Sequence, residues 1–247
     1  MDNALLIGLS RQVALRRELD VIANNVANIN TSGFKAESVM FEQFLDPTAR
    51  HEYFPGNDRR ISFVVDRATV QDFSQGPLQR TEAPLDLALD GQGFFAVQTP
   101  NGERYVRGGN FNLNAQGQLV NPSGHPVLGQ GGPITFEPND TTFTIAADGT
   151  VSTQNGDRGK LRIVRFANPH QLTPQGEGLW TAPAGNAPQV ADATTRVVQG
   201  ALEKSNVQAV REMNRLIEVT RAYTNVSTMQ QRTDELRRKA IDKLAEV

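Results

Sequence analysis

Residues 5 to 35 read LLIGLSRQVALRRELDVIANNVANINTSGFK, and the spacing inside this stretch decides the architecture. Leu5, Gly8, Gln12, Leu15, Leu19, Ile22, Val26 and Ile29 are separated alternately by three and four residues. That is the seam of a heptad helix, with Gly8 and Gln12 as its weak members. A lone helix with so narrow an apolar stripe hides little surface from water, so it asks for a partner helix. The obvious partner is at the other end of the chain. Met213, Leu216, Thr220, Tyr223, Val226, Met229, Thr233, Leu236, Ala240 and Leu244 follow a similar spacing. Ser205, three residues before Gln208, fits a capping box that opens this second helix.

Between these ends the composition changes. All 13 prolines lie between Pro47 and Pro188, and 15 of the 16 aromatic residues lie between Phe34 and Trp180. Proline and glycine punctuate turns, so their scarcity marks the ends as long uninterrupted elements and their density marks a middle of short strands. Leu85, Leu87 and Leu89 alternate with Asp86, Ala88 and Asp90. Phe94 to Val97 runs into Pro100-Asn101-Gly102, a hairpin signal. The expected fold class is α+β: N- and C-terminal helices paired as a coiled coil, with a middle antiparallel β domain of sandwich or barrel type. The expected divisions are an assembly helix at 1–33, an extended connector at 34–79, a β-rich domain at 80–190, a return connector at 191–204 and a second assembly helix at 205–247.

The 247 residues suffice for a real core, and a net charge of -2 argues against a general binder of nucleic acid. With no cysteine there is no disulfide, thiolate metal site or thiol nucleophile. The first residues lack the apolar run of a cleaved signal or of a membrane span. Catalytic sets are weak. His51, His125 and His170 stand far apart in sequence, and Gly129-Gln130-Gly131-Gly132 lacks the lysine and helix of a phosphate loop. Asp86, Asp90 and Glu103 are candidates for a carboxylate pair, but charges on the wet face of a strand are ordinary. No catalytic residue, cofactor or metal is expected.

Asn24, Asn25 and Asn28 interrupt the apolar pattern where the first helix should end, and Gly33 suits a turn with positive φ. Amide side chains also link subunits well, because they donate and accept without a counter-charge. The stretch from Ile22 to Lys35 resembles the signature of the bacterial flagellar rod and hook proteins: Ala-Asn-Asn, an aliphatic residue, Ala-Asn, then Asn-Thr-x-Gly-Phe-Lys. Leu85 to Val97, Tyr105-Val106-Arg107-Gly108-Gly109-Asn110-Phe111 and Gln199-Gly200-Ala201-Leu202-Glu203-Lys204-Ser205-Asn206-Val207 are similar to further motifs of that family, with Val106 where the family has threonine.

The resemblance implies a structural subunit of the basal-body rod and not an enzyme. Its short connector and compact middle domain look most like a proximal rod subunit, with the distal subunit the nearest rival. Implied partners are copies of itself, other rod subunits and the flagellar export apparatus, with no nucleic acid and no membrane span. The implied location is the periplasmic basal body, reached without a cleaved signal peptide. The assembly interface would comprise Leu5, Leu15, Leu19, Ile22, Asn24, Asn25, Val26, Asn28, Thr31, Gly33, Phe34, Met213, Leu216, Tyr223, Val226 and Leu236. A secreted oligomeric binding module is the alternative, and a hydrolase built on the strand carboxylates a third reading.

Overall fold

The structure, a computed structural model, describes residues 2–46, 61–192 and 194–245. The chain divides into two compact units. The first holds residues 1–27, 37–71 and 208–247, and the second holds 28–36 and 72–207.

The first unit is built on the two long helices, α1 (Asp2–Ala27) and α2 (Ala209–Ala245), and an antiparallel pair of strands, β1 (Glu37–Asp46) and β2 (Ile61–Gln71). The pair runs from Glu37 opposite Gln71 to Asp46 opposite Ile61, with a bulge at Met40/Phe41. So much of the expected connector at 34–79 is a long β-ribbon, which packs against α1. Its residues 47–60, His51 among them, lie outside the described residues. The two helices pack against each other and run antiparallel. Gln12 Nε2 donates to Tyr223 Oη at 3.2 Å, and Arg215 pairs with Glu18 at 2.8 Å.

Two adjacent stripes of α1 are covered: Ala14, Glu18, Val21 and Asn25, and beside them Leu15, Leu19, Ile22 and Val26. The heptad reading found only the second stripe, because it had one partner in view and α1 has two. On α2 the covered positions include Glu212, Leu216, Val219, Tyr223, Val226 and Gln230. Three of these belong to the sequence-derived seam, while Met213, Thr220, Met229 and Leu236 are exposed. The capping box is not formed. Ser205 Oγ accepts the Val207 N–H at 3.2 Å, which closes a short turn, and α2 starts only at Ala209.

The second unit is the β domain. Strands β3 (Leu78–Arg80), β4 (Leu87–Asp90), β5 (Phe94–Thr99) and β6 (Gly102–Val106) begin it. A six-stranded antiparallel sheet runs in the order Thr173–Pro174, Leu179–Thr181, β6, β5, Ile163–Arg165, Gln189–Val190. Near its centre, β5 is apolar on both faces, as a strand covered on both sides must be. Phe95 and Val97 enter one cluster with Leu87, Leu89, Phe111 and Val127. Phe94 and Ala96 enter another with Tyr105, Phe166 and Trp180, where Tyr105 and Phe166 meet edge to face at 4.8 Å.

The unit is larger than residues 80–190. Strand Arg196–Gln199 pairs with β4, and strand Ala201–Glu203 pairs with β3. The expected return connector is thus part of the sheet structure. Gly109, in the motif after β6, lets its own segment lie against β4: a Cβ there would sit 1.7 Å from Leu87 O.

A fragment of residues 80–190 lacks the strand that pairs with β4 and covers Leu87 and Leu89. It should show no sharp near-ultraviolet circular dichroism from Trp180, whereas a fragment of 72–207 should. Equal spectra from the two fragments would contradict this unit boundary.

Candidate assembly site

The helix signature ends in a turn that is built by its own side chains. Helix α1 stops at Ala27. The Thr31 N–H donates to Asn28 O at 3.1 Å and Thr31 Oγ1 donates to Asn28 Oδ1 at 3.0 Å. Gly33 has φ +70, and a Cβ there would lie 2.3 Å from the Gly108 nitrogen, so glycine is required twice over. Its N–H donates to Glu203 O at 2.8 Å. Asn28, Thr31 and Gly33 therefore shape the exit from the helix. Phe34, next along, is half-buried.

The asparagines on the helix are also engaged within the chain. Asn24 Nδ2 donates to Glu37 Oε2 at 3.0 Å. Asn25, buried, accepts the Glu37 N–H at 2.8 Å and donates to Glu37 O at 2.8 Å and to Glu212 Oε2 at 3.3 Å. In the β unit Asn206 works the same way: its Oδ1 accepts the Ala36 N–H at 2.7 Å and its Nδ2 donates to Asp72 O at 2.8 Å.

At the centre of the β unit lies a buried ion cluster. Glu203 Oε1 accepts from Lys35 Nζ at 2.7 Å and from the Gly76 N–H at 2.9 Å, while Oε2 accepts from Arg107 Nε at 2.5 Å. Side-chain exposure is 0% for Glu203, 2% for Lys35 and 4% for Arg107. Two cations face one carboxylate, and backbone carbonyls take up the surplus. Arg107 donates to Gly93 O, Gly91 O and Leu89 O, and Lys35 donates to Ser74 O at 2.7 Å. Burial holds the Lys35 ammonium below its usual pKa, an effect that Glu203 opposes and Arg107 reinforces. All three residues sit in the quoted motifs, yet sequence reasoning gave them no role. Their signal was a lysine, an arginine and a glutamate, each embedded among turn and apolar residues.

Of the sequence-derived interface, Ile22 and Asn25 are buried, Leu15, Leu19, Val26, Leu216, Tyr223 and Val226 are half-buried, and Asn24, Met213 and Leu236 are exposed. The side chain of Leu5 lies outside the described residues. No group of three or more His, Asp or Glu residues that could hold a metal ion occurs among the described residues. Glu103 pairs with Arg162 at 3.2 Å, and His170 lies edge-on to Phe73. Gly129 and Gly132 face each other across a tight hairpin.

Glu203→Gln should destabilise the β unit by about 3–5 kcal/mol, since it leaves two buried cations without their carboxylate. Trp180, the only tryptophan, is buried in this unit, so the urea transition of its fluorescence in the full chain reads the effect. A shift of under 1 kcal/mol, roughly what a lone neutral hydrogen bond contributes, would refute a central role for the cluster.

Three family models match the chain. That of the flagella basal body rod proteins covers residues 5–35, that of the flagellar hook protein FlgE/F/G D1 domain covers 88–153, and that of the flagellar basal body rod FlgEFG protein C-terminal region covers 198–243. Lys35, Arg107 and Glu203 fall one in each. The flagellar basal-body rod protein FlgF of Caulobacter vibrioides is 43% identical over 249 residues, with 100% of both chains covered. FlgF of Rhizobium meliloti is 35% identical, covering 99% of this chain and 98% of that one. FlgG of Bacillus subtilis is 34% identical, covering 96% and 97%. This chain belongs to the flagellar basal-body rod protein family.

Proposed function

We propose that the chain is a structural subunit of the flagellar rod and occupies the proximal position, in the manner of FlgF proteins. The observation that carries this reading is the end-to-end match to FlgF of Caulobacter vibrioides at 43% identity, set beside 34% and 35% for the FlgG proteins of Bacillus subtilis and Agrobacterium fabrum. The chain acts by position and adhesion, and its contribution to motility is mechanical. A heterologous contact repeated from copy to copy gives a ring where the rotation closes and an open helical array where it does not, and a rod needs the second kind.

The terminal helices supply the contact in this proposal. Met213, Ile217, Met229, Leu236, Ile241 and Leu244 are between 50% and 79% exposed on α2. Apolar side chains exposed in this way gain about 25 cal/mol for each Å² that a neighbour covers. The pairing of α1 and α2 extends as a coiled coil through neighbouring subunits, both copies of this chain and other rod proteins. The flagellar export apparatus delivers the chain to the periplasm without cleaving a signal.

Leu236→Asp and Met213→Asp should each abolish motility when they replace the wild-type gene, while the melting curve of the purified subunit stays unchanged. Both side chains are in water in the single chain, so the several kcal/mol needed to desolvate a carboxylate fall on assembly alone. Normal swimming halos from both variants would remove α2 from the interface.

A further inference from the structure

The six-stranded sheet of the β unit is guarded at both edges. Its edge strands, Thr173–Pro174 and Gln189–Val190, are two residues long, and the first contains Pro174 while the second follows Pro188. Such edges do not extend by strand pairing. Each edge carries a shaped feature instead.

At the first edge the chain turns through Gly176, Glu177 and Gly178, whose φ angles are +82, +54 and +71. The Leu179 N–H closes this turn on Gly176 O at 2.8 Å. Among the described residues nothing lies within 4 Å of a Cβ built at Gly176 or Gly178, and Glu177 is exposed, so the turn stands clear of the body. Left-handed backbone suits glycine and strains glutamate. A carboxylate is held at the tip nonetheless, and it has no hydrogen bond or ion pair among the described residues.

At the other edge, across five strand spacings or roughly 24 Å, lies a groove of about 650 Å³. Ile163, Pro188 and Val190 give it apolar walls, and Val190 is 78% exposed. Five charged residues also line it. Lys160 pairs with Asp148, Asp192 with Arg165 and Arg162 with Glu103, which leaves Arg196. Arg196 is exposed and stands opposite Asp90 in the ladder, yet it has no ion pair among the described residues. One uncompensated positive charge thus sits beside an uncovered apolar wall.

We propose that the two edges fit each other: the turn at 176–178 of one copy enters the groove of the next, with Glu177 on Arg196 and the turn against Val190. Complementary features on opposite edges join copies head to tail. A surface ion pair adds little adhesion by itself, so Glu177 and Arg196 set the register while the covering of Val190 supplies the attraction. That the copies stand in a rod rests on the reading above, and the contact itself does not.

Disulfide trapping tests the contact on the full-length chain, which contains no cysteine of its own. Chains carrying Gln175→Cys, beside the turn, and Ala191→Cys, in the groove lining, are mixed at high concentration and oxidised. The mixture should give at least about fivefold more dimer than either chain alone. Glu177→Lys in the first chain should bring the yield down to that of the separate chains, and Arg196→Glu in the second should then restore it. Glu177→Gly, which relaxes the turn, should also lose the dimer although the subunit melts no earlier. The proposal is overturned if the mixture yields no excess, if Glu177→Lys leaves the excess intact, or if Arg196→Glu restores nothing. Absence of the chain from isolated basal bodies would defeat the rod reading and leave these yields as they are.

Discussion

The Glu203 carboxylate is the group on which the β unit depends. A buried carboxylate is tolerated only when its lone pairs are filled by charged or strong donors, and here they are filled by Lys35, Arg107 and the Gly76 N–H. Those donors come from residues 35, 76 and 107, so a single side chain near the end of the unit fixes three earlier segments. Arg107 passes the constraint on, because its remaining N–H groups bind carbonyls at residues 89, 91 and 93, between and at the edges of β4 and β5. A network of this kind is costly to break, because removing one member leaves a buried charge without its partner. Apolar side chains accept several arrangements, whereas a buried arginine accepts few.

Asparagine does a second kind of work. Asn25 and Asn206 each present a carbonyl and an amide to the backbone of another segment, as a strand neighbour would. The consecutive N–H groups of Ala36 and Glu37 are satisfied in this way, one by each asparagine. The chain therefore enters β1 with its backbone groups paired before any strand partner is reached. No apolar or charged residue could substitute without leaving a buried polar group unpaired.

Much of this was legible in the sequence. The two helices, the punctuated middle and the hairpin at Pro100-Asn101 follow from local rules that act over a few residues. The β-ribbon of β1 and β2 was not legible, because Pro47, Pro55 and the polar residues between them suggest a connector, and its pairing spans a wide gap. Nor was the second covered stripe of α1, since periodicity states how wide an apolar face is and not how many elements cover it. The asparagine cluster was recognised, but its amides were assigned to neighbouring molecules, and Asn25 spends both of its ends within the chain. Lys35, Arg107 and Glu203 escaped notice for a plainer reason. Their meeting is a fact of three dimensions, and no spacing rule links positions 35, 107 and 203.

The antiparallel pairing of α1 with α2 has a consequence in time. The helical unit needs residues from both extremes of the chain, so a polypeptide that emerges N-terminus first cannot complete it until nearly the last residue is out. The β unit, whose last tie is Asn206, finishes before α2 begins. While α2 emerges, the chain has a folded body and a first helix without its mate. Closure comes at the end and brings together the longest sequence separation in the molecule, the slowest kind of contact to form. The surface that α2 contributes is therefore created late, when the chain is whole and free to meet another.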